Sequence, residues 1–209
     1  GDGADTIDGS GGYDEVSYTT SPTGLTIDLS QTNQSDGFGN VDTILNIEGV
    51  EATNYDDNIF GTTDDNSLDG RLGNNIIDGR SGFDFVEYNG SGRHNVNVDL
   101  ASGTSSFTRG SEELLYTDTL INIEGIIGSN NNDILLGNSA ANKIYGGSGD
   151  DEIKGGGGDD FLDAGSGDDF VYGEGGDDII EQSGSGTQHY DGGSGTDTYS
   201  INTSFLPSH

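Results

Sequence analysis

Cysteine, methionine and tryptophan are absent from the 209 residues, and only 2 are proline. Without Cys there are no disulfides and no thiolate metal sites. The lack of Met, and an opening in mid-motif (GDGADTIDG), lead us to expect a piece of a longer or processed protein. No basic segment followed by an apolar one marks a signal peptide. Basic residues are scarce: 6 Lys and Arg stand against 38 Asp and Glu, a formal charge of −32. Such a chain repels phosphates, so a nucleic-acid partner is excluded. No run of about 18 apolar residues exists, so no membrane-spanning helix is expected. Hydrophobic residues make up 29%, too few for one large core and near the range where disorder becomes the default.

What the chain has is glycine and periodicity. There are 38 Gly, well over twice the usual share of about 7%. From Gly128 to Glu181 six blocks of nine follow without a gap: GSNNNDILL, GNSAANKIY, GGSGDDEIK, GGGGDDFLD, AGSGDDFVY and GEGGDDIIE. After one extra residue, Gln182, the frame resumes with SGSGTQHYD and GGSGTDTYS. It also fits Ala52–Glu87 as ATNYDDNIF, GTTDDNSLD, GRLGNNIID and GRSGFDFVE, and the start through Asp5, Ile7, Asp14 and Val16. Position six is Asp or Asn in nearly every block, and position eight is apolar in all of them.

A longer repeat overlies the short one. Tyr13–Tyr18 (YDEVSY) matches Phe83–Tyr88 (FDFVEY), and Thr26–Leu29 matches Asn97–Leu100. Asp42–Val50 (DTILNIEGV) matches Asp118–Ile126 (DTLINIEGI). We therefore expect two tandem modules. The first covers 1–87, with partial repeats to 17, longer coils over 18–51 and nonapeptides over 52–87. The second covers 88–209, with longer coils over 88–127, nonapeptides over 128–200 and a tail over 201–209.

Glycines at positions one, two and four allow tight turns. The last three residues place one apolar side chain inward between two outward neighbours, which suits a very short strand. One block cannot bury that side chain alone, but stacked blocks can. The sequence predicts an all-β parallel solenoid with two blocks, eighteen residues, per coil. Helix is excluded by the density of Gly and the lack of a 3.6-residue period. Stacking sets Asp133 by Asp151, Asn142 by Asp160, Asp151 by Asp169 and Asp160 by Asp178. Such like charges repel. A hard divalent cation held by carboxylates and turn carbonyls would reverse the sign; all-oxygen ligands favour Ca2+ over Zn2+ or Cu2+, and Mg2+ demands a stricter octahedron and gives up water reluctantly.

Blocks such as GGSGDDEIK and GGGGDDFLD resemble the RTX (repeat-in-toxin, hemolysin-type) nonapeptide GGxGxDxUx. The VSY, TIDL and DTILNIEGV stretches are similar to longer coils between such tracts in large secreted proteins. The resemblance implies a right-handed parallel β-roll, or β-helix, with calcium-binding turns. It implies folding on Ca2+ binding outside the cell, after export of the whole protein by type I secretion machinery. It implies position-six side chains as ligands: Asp151, Asp160, Asp169, Asp178 and Asp197 foremost, then Asp133, Asp57, Asp84, Asp14 and Asp5. Asn66, Asn75 and Asn142 are weaker versions. Carbonyl ligands would come from Gly146, Gly147, Gly149, Gly155, Gly156, Gly158, Gly165, Gly167, Gly173, Gly175 and Gly176. Counting stacked pairs gives on the order of six to nine ions.

Departures from the pattern carry their own expectations. Gln188 stands where Asp belongs, so a weak site is expected there, with Asp178 imperfectly paired to Asp197. Blocks Ala52–Phe60 and Gly61–Asp69 lack glycines at positions two and four, so their turns should differ. Position-five residues Asp150, Asp159, Asp168 and Asp177 should point outward as surface charge. The two INIEG segments should be core strands. His94, His189 and His209 should be surface residues. Phe161, Phe170, Tyr172, Tyr190 and Tyr199 should fill or edge the roll. No HExxH, GxSxG, Walker A or DxDxDG motif occurs, so no enzyme is expected. Three roles stay open: a secretion and folding module, an accessory to a secreted epimerase, protease or lipase, and a spacer in an adhesin or surface-layer protein. Anionic polysaccharide or cell-surface glycans are partners these roles would bring. The location expected is secreted, extracellular or cell-surface.

Overall fold

The computed structural model describes residues 3–90, 92–110 and 114–201. His209 and the tail beyond 201 lie outside the described residues. All regular structure in the described residues is strand. The strands are β1 (Thr6–Asp8), β2 (Glu15–Ser17), β3 (Thr26–Asp28), β4 (Asn33–Ser35), β5 (Val41–Leu45), β6 (Gly49–Glu51), β7 (Asn58–Phe60) and β8 (Ser67–Asp69). Then come β9 (Ile76–Asp78), β10 (Phe85–Glu87), β11 (Arg93–Asp99), β12 (Thr104–Arg109), β13 (Leu115–Ile121), β14 (Gly125–Ile127) and β15 (Ile134–Leu136). The last are β16 (Lys143–Ser148), β17 (Glu152–Gly157), β18 (Phe161–Ser166), β19 (Phe170–Gly175), β20 (Ile179–Gln182), β21 (His189–Asp191) and β22 (Thr198–Ile201).

The chain forms two compact units, one of Gly1–Glu87 with Tyr116–Ile123, the other of Tyr88–Leu115 with Glu124–His209. In the first unit strands stack in the order β2-β6-β8-β10 and β3-β7-β9-β13, with β1-β5-β4 as a third sheet. In the second the orders are β14-β16-β18-β20-β22 and β12-β11-β15-β17-β19-β21. Alternate strands join opposite sheets, and pairing within each row is parallel except at β4–β5 and β11–β12. Ile144 faces Leu162, and Ile153 faces Val171, one coil of eighteen residues on. Gln182 lengthens the next step to nineteen, so Val171 faces Tyr190 and Ile180 faces Tyr199. Each unit is a parallel β-roll, as the periodicity predicts.

The core is the position-eight column. Ile59, Leu68, Ile77, Val86, Leu135, Ile144, Ile153, Leu162 and Val171 are fully buried, while position seven alternates outward. Towards the ends burial fails: Ile7 and Tyr199 are exposed and Tyr190 is half-buried. A single branched side chain per half-coil thus supplies most of the hydrophobic stabilisation, roughly 1.5–3 kcal/mol each.

The longer coils break the parallel rule. β4 pairs antiparallel with β5, and β11 antiparallel with β12, with a bulge between His94 and Asn97. In the second unit the inserted hairpin closes over its own small core. Arg93, 4% exposed, lies 5.6 Å from the Tyr88 ring centre and 5.7 Å from that of Phe107, and Tyr88 Oη lies 2.6 Å from Ser105 Oγ. The INIEG segments are not continuous core strands as expected: Leu45 and Ile121 end β5 and β13, and Gly49 and Gly125 open β6 and β14 after a corner. Asn46 and Asn122 before them are left-handed corners (φ 54° and 51°), and Ile47, Val50, Ile123 and Ile126 are buried. His94 is half-buried on β11 and His189 is exposed on β21.

Candidate metal-binding turns

The turns stack into ladders along the roll. In the second unit the position-six carboxylates from Asp151 onward accept, through Oδ1, the backbone N–H of the position-six residue one coil earlier, while Asp133 accepts that of Val96. Asp133 N–H donates to Asp151 at 2.8 Å and Asp151 N–H to Asp169 at 2.9 Å. In the other row Asn142 N–H donates to Asp160 at 2.7 Å, Asp160 N–H to Asp178 at 2.9 Å, and Asp178 N–H to Asp197 at 3.2 Å. The last bond, across the Gln182 insertion, is the longest but is made. Asp133, Asn142, Asp151, Asp160, Asp169 and Asp178 are buried, and Asp197 is half-buried.

The first unit repeats the pattern and extends it to residues that the nine-residue frame misses. Leu25 N–H donates to Asp57 Oδ1 at 2.7 Å, Asp57 N–H to Asn75 at 3.0 Å and Asn75 N–H to Asp118 at 3.0 Å. Asn66 N–H donates to Asp84 at 2.8 Å, Asp14 N–H to Glu48 Oε2 at 3.0 Å and Asp5 N–H to Asp42 at 2.9 Å. Asp14 is half-buried and Asp5 exposed. Asp42, Glu48 and Asp118 therefore play the position-six role inside the longer coils. Their signal in the sequence is the two-residue step to a buried apolar residue: Asp42 to Ile44, Glu48 to Val50, Asp118 to Leu120.

Position five forms a second ladder that runs the opposite way. Asp168 N–H donates to Asp150 Oδ1 and Asp177 N–H to Asp159 Oδ1, both at 2.9 Å. These carboxylates are exposed as expected. They are not mere surface charge, however, because each holds the next coil's backbone.

In some of these position-six carboxylates one oxygen is left unbonded. Oδ2 of Asp151, Asp160 and Asp178 is buried without a hydrogen-bond partner. An unpaired buried carboxylate oxygen costs free energy. Burial accordingly pushes the Asp151 carboxyl up to about 8, with repulsion from Asp133 and Asp169 adding to it against the hydrogen bond from Asp133 N–H. Asp160 is pushed up to about 7, first by burial and then by Asp178, Asp159 and Glu174. Burial also raises Asp133, Asp169 and Asp178. The space beside each oxygen is a cradle. A Cβ added at Gly146 would lie 2.5 Å from Asp151 Oδ2 and 2.6 Å from the Ala164 carbonyl oxygen of the next coil. At Gly173 it would meet Asp178 Oδ2 and the Gly192 carbonyl, and at Gly155 Asp160 Oδ2 and the Gly173 carbonyl.

Among the described residues no three His, Cys, Asp or Glu side chains gather at one point. Buried carboxylate oxygens beside turn carbonyls are nevertheless the all-oxygen donor set of a hard cation such as Ca2+. Donor chemistry and orphaned oxygens both fit the ion.

Parallel strands one coil apart, joined by glycine turns with inward carboxylates, define a repeat protein of the oxygen-ligating β-roll class. The model of the RTX calcium-binding nonapeptide repeat matches residues 1–16, 51–86, 127–162 and 154–181. The chain belongs to that family. No curated protein matches it.

Proposed function

We propose that the chain is a calcium-loaded folding module of a larger secreted protein, built of two tandem β-roll modules and without catalytic activity of its own. The observation that carries this reading is the set of buried, unpartnered Oδ2 atoms of Asp151, Asp160 and Asp178, each beside a turn carbonyl. Asp151, Asp160, Asp169, Asp178 and Asp197 would hold the ions, with carbonyls from the turns at Gly146, Gly155, Gly173 and their neighbours. Bound Ca2+ would supply the positive charge that these oxygens lack. In the folded roll the position-six N–H ladder holds each carboxylate in place beside a turn carbonyl. Folding and ion binding are then one equilibrium, and the roll is stable only where calcium is plentiful, as it is outside the cell. Such a module keeps its parent chain unfolded for export through a type I machine and folds it afterwards.

Isothermal titration calorimetry tests the ion. Ca2+ should bind at several sites per chain, and an equal concentration of Mg2+ should neither displace it nor reproduce the heat. Binding of Mg2+ as tightly as Ca2+ would contradict the reading.

A further inference from the structure

Outside the block 183–191, the nonapeptide turns fall into two classes, divided by the peptide N–H of position two. In four blocks that N–H points into its own turn and is donated to the position-six side chain. Thr53 N–H donates to Asp57 Oδ2 at 2.9 Å, Thr62 to Asn66 at 2.6 Å, Ser129 to Asp133 Oδ2 at 2.6 Å and Asn138 to Asn142 at 2.8 Å. Hydroxyls reinforce it: Ser129 Oγ lies 2.9 Å from Asp133 Oδ1, and Thr53 Oγ1 lies 2.9 Å from Asp57 Oδ2. In these turns Asp57 and Asp133 have both oxygens engaged, and the Asn142 and Asn66 amides donate to the Glu124 and Glu48 carbonyls.

In the other class position two is left-handed. Gly147 and Gly156 have φ 105°, and Arg71, Arg80 and Glu174 adopt φ 54°, 70° and 70° despite their side chains. The N–H is then turned out of the loop. Where the preceding block ends in Asp it is caught there: Arg71 donates to Asp69 at 2.7 Å, Arg80 to Asp78 at 3.0 Å and Gly165 to Asp163 at 3.1 Å. Asp151, Asp160 and Asp178, with their bare Oδ2 atoms, all lie in turns of this class.

We propose that position two decides which turns take an ion: a turn whose position-two N–H caps its own position-six side chain takes none, and a turn with a left-handed position two presents that oxygen to Ca2+. The inference rests on the calcium reading above. It goes beyond it by excluding Asp57 and Asp133, which the repeat pattern alone ranks as ligands. It also confines full sites in the 128–200 tract to stacked pairs in which both turns are open: Asp151 with Asp169, Asp160 with Asp178, and Asp178 with Asp197. The pair of Asp169 with Gln188 is closed differently, since Gln188 Nε2 donates to Asp169 Oδ2 at 2.9 Å. The self-capped turns then act as ion-free rungs on which the loaded coils stack.

The test is calorimetric Ca2+ titration of the whole chain and of Asp133→Asn, Asp57→Asn and Asp151→Asn, each checked for β signal at saturating Ca2+. Asn142 shows that Asn is accommodated in a self-capped turn. Asp133→Asn and Asp57→Asn should bind the wild-type number of ions with an unchanged midpoint, while Asp151→Asn should bind at least one fewer with a midpoint several-fold higher. Loss of an ion from Asp133→Asn or Asp57→Asn, with the wild type binding normally, overturns the position-two rule and leaves the calcium reading standing. Absence of any binding heat in the wild type overturns both. If Asp151→Asn fails to fold, the two self-capped variants still decide the matter by the same count.

Discussion

Asp159 and Asp160 are adjacent, carry the same charge, and do different work. Asp160 is buried with one bare oxygen, whereas Asp159 is exposed and accepts the Asp177 N–H. Asp160→Ala should remove an ion and raise the Ca2+ midpoint clearly. Asp159→Ala should leave the ion count unchanged and cost about 0.5 kcal/mol, the worth of one exposed hydrogen bond. Calorimetry and urea unfolding of both variants separate these outcomes, and equal effects would mean that bulk charge governs binding. Arg80 is a second residue with an identifiable task. Its guanidinium forms a bidentate pair with Asp28 at 2.9 and 2.8 Å, reaches the Gly61 carbonyl at 2.7 Å and lies 5.5 Å from the Phe60 ring centre. The pair is partly exposed, so Arg80→Ala should destabilise the calcium-loaded chain by about 1 kcal/mol. Urea unfolding at saturating Ca2+ measures it, and an unchanged midpoint would show the pair to be ornamental.

At the scale of the element, a half-coil has one apolar side chain and one acidic turn. Leu162 is fully buried between Ile144 and Ile180 of neighbouring coils. Leu162→Ala should cost about 2–5 kcal/mol and raise the Ca2+ requirement of the coils on both sides, because a stack is stabilised by nearest neighbours. Hydrogen exchange at saturating Ca2+ would locate that loss, and loss spread evenly over the chain would count against coil-by-coil support. The acidic turns set the response to pH. Asp151 and Asp160 have folded values near 8 and 7, above the ordinary 3.8. A raised carboxyl stabilises the metal-free fold below its unfolded pKa, and that contribution is lost as pH rises through the folded value. Metal-stripped protein should therefore show more β signal at pH 5 than at pH 8, while the Ca2+ midpoint should move to higher concentration at pH 6 because protons compete for the same oxygens. Identical circular dichroism and midpoints across this range would contradict the assignment of the buried carboxylates.

This scale also shows where sequence reading succeeds and stops. Position eight is legible because only an apolar side chain can fill a fully buried slot, so Leu135 or Ile153 betrays its place. Position two is not, because Thr53, Ser129, Gly147 and Glu174 all suit a turn and differ only in which way a peptide N–H faces. The longer coils hide Asp42, Glu48 and Asp118, since insertions displace them from the nine-residue frame although the step to the next buried residue survives. The antiparallel hairpins of β4–β5 and β11–β12 leave no mark in that periodicity.

For the whole molecule the governing quantity is charge. At −32 the metal-free chain repels itself, and in the proposed module each Ca2+ would offset two charges and join neighbouring coils. Screening by NaCl weakens the repulsion between exposed charges but gives the buried Oδ2 atoms no ligand, so salt alone should not fold the chain. Far-UV circular dichroism of the chain in EDTA, then on addition of millimolar Ca2+, tests this most directly. The account requires a disordered spectrum in EDTA, with or without 0.15 M NaCl, and cooperative conversion to β signal on adding Ca2+. A strong β spectrum in EDTA at neutral pH, unchanged by Ca2+, would contradict it.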